Sequence, residues 1–448
     1  MATVQLRPES RAPTRGSAGR RVLELLPPLV VALLILPYVI SYGQLWPWRP
    51  STIDLEVYVY AVRDMLAGND IYATKTPFWN LYFIYPPVAA VLMWPLAFGP
   101  YVMWQVIWTA ALVWAQQSVL RRCGIPGGWK LGLLGVAVVL AVEPIRTTLG
   151  YGQVNTMLMA LVVADLLPDR PGERRRIPQG SLIGLAAAIK LTPALFVVFA
   201  FLIGRRRLAI TGMVSFLVFT AVGAIFQFRQ TISFWGGLSG GDTRTASPLY
   251  TGNQSLLGVF FRIGGSSVTT TLVGLGIAGL VALLATLVAA HWWAAGQQVF
   301  AVGLVGLATC LASPLSWTHH YVWILPLAVA VLLPRRALRQ AQGTEGRGVP
   351  GAGALRQAQG TGAGTLAEPV EALPRWARYL SGFWVLWVCA CLPLAVLPYG
   401  GGRERSFTFL QSLVADLGPL VGVALVVGLA WQMVSHSRSR TRQPAGAA

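Results

Sequence analysis

The stretch from Asp54 to Pro87 holds two carboxylates at its start and a dense run of aromatic side chains. Asp54 and Glu56 directly follow the first long apolar segment, so both are expected at a membrane boundary. Acidic groups beside a membrane are costly to desolvate and are usually retained there for a function. The pattern therefore favours chemistry at the membrane surface that uses at least one of these carboxylates.

Three further groups of polar residues are expected on the same side of the membrane. They are Glu143 with Arg146, Gln153 and Asn155; Asp242 and Arg244 with Asn253 and Gln254; and the adjacent pair His319 and His320. A transport pathway would place its polar groups near the middle of the membrane and often in both halves of the chain. Convergence on one face therefore favours surface chemistry over translocation.

The two carboxylates also have a purely structural interpretation. Asp54 with Ser51 resembles a capping box at a helix start, and Glu56 would then point away from Asp54 on the same helix. A metal ion held jointly by the two carboxylates is disfavoured for the same reason. The four cysteines of the chain show neither zinc nor disulfide spacing. We therefore expect no metal site and no cofactor.

The other polar candidates have structural alternatives of their own. One of the two histidines can lie at an aromatic interface beside Trp317, and Lys190 can extend its ammonium to the inner headgroups. Arg146, Asn253 and Gln254 can simply bind loop backbone. The residue types alone leave these alternatives open.

The composition is that of an integral membrane protein. Hydrophobic residues make up 55% of the 448 residues, charged residues make up 11%, and the mean hydropathy is +0.59. A soluble chain of this length carries about a quarter charged residues. The net charge of +19 comes almost wholly from arginine, and in so apolar a chain it does not indicate a nucleic-acid-binding protein.

Long apolar segments alternate with arginine-rich loops along the chain. The first segment, Val22 to Tyr42, is long enough to cross a bilayer core of roughly 30 Å. Because basic residues precede it, the positive-inside rule directs it outward and places Asp54 outside the cytoplasm. The same reasoning gives about ten full spans plus half-helices, with both termini in the cytoplasm. The pattern predicts an all-α polytopic membrane protein.

Two parts of this pattern are irregular. Val88 to Phe98 is too short to span the membrane and is interpreted as a re-entrant or interfacial helix. The run from Gly180 to Gly204 lies between two arginine clusters, and Pro193 interrupts it. If both clusters are cytoplasmic, this run forms a hairpin with Lys190 near its inner tip; the competing interpretation is a single full span. The hairpin is favoured because the other loops obey the positive-inside rule.

The chain divides into five parts. We expect a disordered cytoplasmic tail over residues 1–21, a membrane-embedded core over 22–335, a disordered cytoplasmic linker over 336–376, a transmembrane hairpin over 377–436 and a basic cytoplasmic tail over 437–448. The linker contains the sequence ALRQAQGT twice, at Ala337 and at Ala354. So short a repeat without apolar periodicity cannot bury a core, and this predicts disorder.

Several short motifs, taken in order along the chain, resemble one family. They are D-L-x-V-Y at Asp54, Y-P-P at Tyr85, G-Q-x-N at Gly152, A-A-A-I-K-L-T-P at Ala186, N-Q-S-L at Asn253 and S-P-x-S-W-x-H-H at Ser313. Over residues 22–335 the chain is similar to glycosyltransferase family 87. Members of this family are bacterial polytopic enzymes of the GT-C type that use polyprenyl-phosphate sugars. They include α-1,2-mannosyltransferases of phosphatidylinositol mannoside and lipoarabinomannan synthesis.

The resemblance implies a GT-C type helical bundle with re-entrant and juxtamembrane helices on its outer face. It implies that Asp54 is the catalytic base, since an acidic residue of the first outer loop holds that role in such enzymes. His319, His320, Arg146 and Lys190 are expected to bind the donor phosphate. The expected substrate-binding residues are Glu56, Tyr58, Tyr85, Gln153, Asn155, Asn253, Gln254 and Trp317.

The function implied is the inverting transfer of a hexose, with mannose in α-1,2 linkage as the expected sugar. The expected partners are a polyprenyl-phosphate sugar donor, a glycolipid or lipoglycan acceptor and the lipid bilayer, without nucleic acid. The reaction is expected at the outer face of the plasma membrane. The alternative from another functional class is a transporter or flippase of lipid-linked sugars.

Overall fold

A computed structural model describes residues 16–44, 49–169, 175–240, 248–332 and 373–441. Several predictions lie outside these described residues. They concern the first part of the N-terminal tail, Asp242 and Arg244, nearly all of the linker with its two repeats, and the end of the C-terminal tail.

The described residues form helices and contain two isolated bridges but no strand, so the predicted all-α class is confirmed. The α-helices are α1 (Gly16–Ser41), α2 (Ile53–Leu66), α3 (Pro87–Leu92), α4 (Tyr101–Arg122), α5 (Trp129–Ala141), α6 (Glu143–Tyr151), α7 (Asn155–Leu166), α8 (Ser181–Ile189), α9 (Leu195–Leu202), α10 (Arg206–Phe226), α11 (Phe228–Gly240), α12 (Leu256–Gly264), α13 (Val268–Ala294), α14 (Gln298–Ala312), α15 (Ile324–Leu332), α16 (Arg375–Ala390), α17 (Leu392–Val396) and α18 (Phe409–Thr441). Short 3₁₀ helices cover Trp94–Ala97, Thr192–Ala194, Thr318–Trp323 and Arg403–Ser406.

Long apolar helices are fewer than the sequence pattern predicted. Within the described residues, three helices are long and apolar enough to cross a membrane: Arg206–Phe226, Val268–Ala294 and Phe409–Ser435. A fourth exists if α5 and α6, which are bent by 88° at a short break, count as one span. Helices α1 and α4 have 26 and 22 residues. The other apolar segments form shorter helices, several of which begin or end at a proline.

Arginine side chains gather at one end of the bundle. At the end of α4, Arg122 pairs with Asp169 at 3.2 Å. Arg175 pairs with Asp165 at 3.2 Å and with Asp169 at 2.7 Å. Arg205, just before α10, donates to the carbonyl oxygen of Leu166 at 2.9 Å. These loops are distant in sequence, so their shared location agrees with the arginine pattern that predicted a common side.

The run between Gly180 and Arg205 is a hairpin. The backbone N–H of Gly180 donates to the carboxylate of Asp165 at 2.9 Å, and Arg205 binds the neighbouring Leu166 carbonyl. Both ends of the run therefore contact the same end of α7, which confirms the hairpin and excludes the single full span. The nine residues of α8 rise about 1.5 Å each, so Lys190 at the hairpin tip lies well inside the bundle.

Close packing against α10 fixes the position of the hairpin. A Cβ atom on Gly184 would lie 2.3 Å from the carbonyl oxygen of Gly212 and 2.6 Å from the Cβ atom of Ser215. The Ser215 hydroxyl also donates to the carbonyl of Ser181 at 2.8 Å. The absence of a side chain at position 184 thus allows α8 and α10 to approach and holds the Lys190 tip at a defined depth.

The bend between α5 and α6 brings a sharp turn against α2. Pro144 lies in the first turn of α6, and the helix ends at Gly152, whose φ of 68° lies in the left-handed region that glycine favours. A Cβ atom there would lie 2.7 Å from the Cβ atom of Leu55. The backbone N–H groups of Ser51 and Thr52 both donate to the carbonyl of Gly150. This turn therefore connects the start of α2 to the start of α7.

Short helices lie beside α2 on the side of the bundle away from the arginines. The segment predicted as re-entrant or interfacial forms α3 and the 3₁₀ helix Trp94–Ala97, neither of which is long enough to span the membrane.

The C-terminal helices α16 and α18 pack on the bundle, with the Trp384 indole donating to the carbonyl of Gly418 at 3.0 Å. The ring of Trp384 also contacts that of Tyr321 at 5.7 Å.

Candidate active site

A cavity of about 930 Å³ opens between α2, the turn before α7, the hairpin tip and the segment that joins α14 to α15. Of the residues predicted from the sequence, it is lined by Asp54, Tyr85, Gln153, Lys190, Trp317, His319 and His320. Their sequence separation is large, and five different parts of the chain supply them. The cavity is the candidate active site.

Asp54 lies in the first turn of α2 and faces this cavity. The residue that caps α2 is Thr52, whose φ is 47° and whose side chain forms no capping hydrogen bond, so the predicted capping box of Ser51 and Asp54 does not form. The Oδ2 atom of Asp54 has no hydrogen-bond partner among the described residues. Asp54 therefore lines the cavity with a largely enclosed carboxylate, one oxygen of which is buried and bound by no described residue.

The surroundings of Asp54 set its ionisation near neutral pH. Burial raises the pKa of Asp54 to about 7, because desolvation disfavours the charged form. The positive charge of Lys190 and a hydrogen bond with the Gln153 side chain act in the opposite direction and limit this rise. A carboxylate with such a pKa can exchange a proton with a substrate at physiological pH.

Gln153 is oriented by the groups that bind its amide oxygen. This oxygen accepts from the Tyr85 hydroxyl at 2.6 Å, from the Tyr58 hydroxyl at 2.8 Å and from the backbone N–H of Val154 at 3.0 Å. The amide nitrogen is then the end that remains for Asp54, and it acts as the donor to that carboxylate. Tyr58 does not line the cavity, so its observed contact is with Gln153 and Tyr85 rather than with cavity space.

Lys190 supplies a positive charge to the cavity. Its ammonium donates to Asn155 Oδ1 at 3.0 Å, lies 3.3 Å from His320 Nε2 and approaches the ring of Tyr85 at 5.4 Å. These contacts direct the side chain into the bundle, so it does not extend to the headgroups as the structural alternative proposed. Asn155 in turn donates to the carbonyl of His319 at 3.0 Å, which joins the hairpin tip to α7 and to the histidine segment.

The two histidines have different surroundings, although both line the cavity. His320 contacts Lys190, whereas the His319 ring is buried and packs edge to face against Tyr151 at 5.3 Å. The carbonyl of His319 also accepts from the Thr148 hydroxyl at 2.8 Å. His320 is thus the histidine beside the cation, and His319 is the one that anchors the segment.

Besides Tyr58 and Asn155, four predicted site residues are absent from the cavity lining. The Arg146 guanidinium donates to the carbonyl of Leu140 at 2.6 Å, and Glu56 lies on another face of α2. Asn253 accepts from the backbone of Ser316 at 3.0 Å. The fourth, Gln254, donates to the carbonyl of Ala415 at 3.0 Å. These contacts agree with the alternative in which Arg146, Asn253 and Gln254 bind loop backbone. Donor phosphate binding by Arg146 and substrate binding by Asn253 and Gln254 stay predictions.

Some lining residues were not predicted from the sequence. Tyr151, Tyr250 and Thr318 all line the cavity. For Tyr151 a signal was available, because it lies inside the glycine turn at residues 150–152. Within the described residues, no three His, Cys, Asp or Glu side chains cluster closely enough to hold a metal ion.

Comparison with known proteins identifies the family. The model of glycosyltransferase family 87 matches residues 83–314. A polyprenol-phosphate-mannose-dependent alpha-(1-2)-phosphatidylinositol pentamannoside mannosyltransferase of Mycolicibacterium smegmatis is 33% identical over 353 residues, which cover 75% of this chain and 82% of that protein. The chain belongs to glycosyltransferase family 87.

A second relative and one solved structure are also similar to this family 87 glycosyltransferase. A polyprenol-phosphate-mannose-dependent alpha-(1-2)-phosphatidylinositol mannoside mannosyltransferase of Mycobacterium tuberculosis is 31% identical over 72% of this chain and 79% of that protein. The crystal structure of ArnT from Cupriavidus metallidurans bound to undecaprenyl phosphate has a TM-score of 0.35 and 17% identity, over 93% of this chain and 78% of that chain. A likeness this low carries no argument about the site.

The electrostatics of the site predict the pH dependence of glycosyl transfer by this family 87 enzyme. The family resemblance predicts that Asp54 is the catalytic base. Only the ionised form of a base accepts a proton, so kcat/KM should rise with pH, with a midpoint near 7. The charge of Lys190 favours that ionised form, so Lys190→Met should raise the pKa of Asp54 and move the midpoint to higher pH. The measurement is the pH profile of kcat/KM for both proteins in detergent.

Lys130→Met provides the matched control, because this exposed lysine lies beside Trp129 at the start of α5. It should leave the midpoint in place. A midpoint that does not move in Lys190→Met would contradict the electrostatic coupling between Lys190 and Asp54.

Proposed function

We propose that this chain transfers mannose from a polyprenyl-phosphate donor to a glycolipid or lipoglycan acceptor, with inversion at the anomeric carbon. The observation that carries the proposal is the pair of opposite charges in one cavity, with one oxygen of the Asp54 carboxylate bound by no described residue and Lys190 held at the hairpin tip. The relatives named above are polyprenol-phosphate-mannose-dependent alpha-(1-2) mannosyltransferases. This supports mannose as the sugar and an α-1,2 linkage in the product.

In the proposed reaction, Asp54 acts as the general base. An acceptor hydroxyl oxygen attacks the anomeric carbon of the β-linked sugar phosphate while its proton passes to the Asp54 carboxylate. The new glycosidic bond forms as the bond between the anomeric carbon and the phosphate oxygen breaks. The polyprenyl phosphate leaves with the electron pair of the broken bond. This displacement inverts the configuration and requires a base but no protein nucleophile.

The leaving phosphate is proposed to bind beside Lys190 and His320. The Lys190 ammonium is already oriented by Asn155, so it would stabilise the developing negative charge without a large rearrangement. Asp54 and Lys190 both line the cavity and interact electrostatically. A sugar bound in the cavity would therefore lie near both the base and the cation. Gln153 holds the carboxylate in orientation through its own contacts with Tyr58 and Tyr85.

The alternative of a transporter or flippase has less support. Its polar groups would be distributed along a pathway through the membrane. Here the polar residues that line space converge on one cavity, and the arginine pairs lie together at the other end of the bundle. The relatives are named as transferases. Both observations favour an enzyme.

The first test removes the proposed base. Asp54→Asn keeps the shape of the side chain but cannot accept the proton, so turnover should fall by about 10²–10⁴-fold, the usual contribution of general-base assistance. Donor affinity should change little, because the asparagine still fills the same volume beside Gln153. Both quantities are measured with purified protein, polyprenyl-phosphate-mannose and a phosphatidylinositol mannoside.

Glu56→Gln is the matched control on the same helix. Since Glu56 does not line the cavity, Glu56→Gln should lower turnover much less than Asp54→Asn does. A chelator should leave the turnover of the wild-type enzyme unchanged. Equal damage from both substitutions together with inhibition by the chelator would show that the two carboxylates form a metal site. The assignment of Asp54 as the base would then be wrong.

We also propose that the cavity opens outside the cytoplasm of the cell, with both termini inside. The arginines near Asp165 and Asp169 support this orientation, because cytoplasmic loops carry an excess of basic residues. Single-cysteine labelling with an impermeant reagent tests it, in a background without the four native cysteines. Phe78, which is 86% exposed in the loop before α3, and the exposed Arg207 are suitable positions.

In intact cells, Phe78→Cys should be labelled and Arg207→Cys should be labelled only after lysis. The reverse pattern would place the active site on the cytoplasmic side. Labelling of both positions in intact cells would show that they do not lie on opposite faces of the membrane.

A further inference from the structure

Three aromatic side chains form a continuous surface at one side of the cavity. The ring of Tyr250 lies 5.6 Å from that of Trp317 and 5.8 Å from that of Tyr399, with both neighbours edge to face. Tyr250 and Trp317 line the cavity, and Tyr399 is 46% exposed beside them. We call Tyr250, Trp317 and Tyr399 the aromatic wall.

The ring of Tyr250 is held in one position by its own loop. A Cβ atom on Gly252 would lie 2.4 Å from this ring, so the ring packs on bare backbone that only glycine provides. The carbonyl of Tyr250 accepts from Arg262 at 3.3 Å, and Arg262 also donates to the carbonyl of Asn253 at 3.0 Å. The loop is therefore fixed on both sides of Gly252.

The C-terminal part of the chain holds this loop in place. Glu404 is buried and accepts from the backbone N–H of Thr251 at 3.2 Å and from that of Gly400 at 2.8 Å. Asp416 on α18 accepts from the buried Arg262 guanidinium at 2.7 Å. These contacts join residues 250–262 to residues 399–416, which lie beyond the segment that the family model matches. The C-terminal hairpin thus supplies one member of the wall and supports another.

The wall residues Tyr250 and Trp317 line the same cavity as Asp54. Tyr151 lines the cavity and interacts electrostatically with both Asp54 and Tyr250. The apolar part is lined by Leu191, Leu195, Val198, Phe234 and Ala282, next to Lys190. The cavity therefore offers an aliphatic surface near Lys190 in addition to the aromatic surface of Tyr250 and Trp317.

We propose that the aromatic wall is a binding subsite for the sugar headgroup of the acceptor, and that the C-terminal loop with Tyr399 takes part in selecting that headgroup. The proposal rests on the proposed function, in which Asp54 takes the proton of an acceptor hydroxyl. Tyr and Trp rings have apolar faces that pack on the C–H faces of sugar rings, and polar edges that bind sugar hydroxyls. A saturated lipid chain needs neither property.

The positions of the charges favour the acceptor over the donor as the occupant. The donor phosphate is an anion and belongs beside Lys190, and its prenyl chain fits the adjacent aliphatic surface. The acceptor hydroxyl must reach Asp54 from the opposite direction, since the incoming and leaving oxygens are in line during a displacement with inversion. Tyr250 and Trp317 line the same cavity as Asp54, and Tyr151 interacts with both Asp54 and Tyr250. A glycan whose hydroxyl reaches Asp54 would therefore extend onto the wall.

The test measures acceptor binding directly, without any transfer step. Purified full-length protein in liposomes is titrated with a fluorescently labelled phosphatidylinositol mannoside, and its Kd is compared with the KM values for acceptor and donor. Tyr250→Ala and Tyr399→Ala should each raise the acceptor Kd about tenfold, equivalent to 1.4 kcal/mol. The donor KM should stay within about twofold. Tyr250→Phe and Tyr399→Phe keep the ring and should recover most of the affinity.

Gly252→Ala is an independent variant, because it keeps every ring of the wall but displaces that of Tyr250. It should also raise the acceptor Kd. If Tyr250→Ala and Tyr399→Ala do not accumulate in the membrane, the acceptor Kd of Gly252→Ala replaces theirs as the measurement. Tyr379→Ala on α16 is the control, since this tyrosine is 75% exposed and remote from the cavity lining. It should leave the acceptor Kd unchanged.

An unchanged acceptor Kd in folded Tyr250→Ala and Gly252→Ala would overturn the subsite. A rise in donor KM equal to the rise in acceptor Kd would overturn its assignment to the acceptor. Failure of the wild-type protein to transfer mannose from this donor would instead contradict the proposed function. Because the acceptor Kd does not depend on turnover, the two failures remain distinguishable.

Discussion

The active site depends on one enclosed ammonium group held inside an apolar bundle. A charge removed from water is strongly unfavourable unless other groups replace its hydration. For Lys190 these groups are Asn155 at the start of α7, His320 on the 3₁₀ helix and the face of the Tyr85 ring. Tyr85 and His320 also line the cavity, as does Lys190 itself. The requirement to satisfy one lysine therefore determines where the hairpin tip, α7 and the histidine segment meet, and the carboxylate of Asp54 completes the balance of charge.

Broken helices make this meeting possible. Helices α6 and α8 end at the cavity, and the 3₁₀ helix Thr318–Trp323 begins there. A helix that crossed the bundle without a break would not place its end at this point. Irregular backbone at membrane depth is tolerated where it lines a cavity or is buried in protein. The turn at Gly152, which fits against Leu55, shows how closely these ends approach. At the opposite, arginine-rich end of the bundle, Asp165 pairs with Arg175 and accepts from the backbone of Gly180. These contacts fix α7 and the start of the hairpin, and thereby the position of the hairpin tip in the cavity.

The sequence predicted the parts of this arrangement that leave a local pattern. Two arginine clusters on either side of an interrupted apolar run predicted the hairpin, and the position of Asp54 just after the first span predicted its place at the candidate site. Contacts between distant residues leave no such pattern. Arg146 and Asn253 have the residue types of ligands, yet their observed partners are backbone groups. The link between Thr251 and Glu404 joins loops 153 residues apart, and helical periodicity carries no information about it. The number of full spans was overestimated because hydrophobicity alone does not reveal where a helix breaks.

In the proposed mechanism a single carboxylate acts as the base, so the acceptor hydroxyl displaces the leaving phosphate directly from the donor sugar. The anomeric configuration of the product tests this claim most directly. The purified enzyme is incubated with β-linked polyprenyl-phosphate-mannose and a phosphatidylinositol mannoside, and the new linkage is assigned by NMR. Direct displacement at a β-linked donor predicts one added mannose in α linkage. A product with β linkage would require two successive displacements through a covalent intermediate and would contradict the role assigned to Asp54.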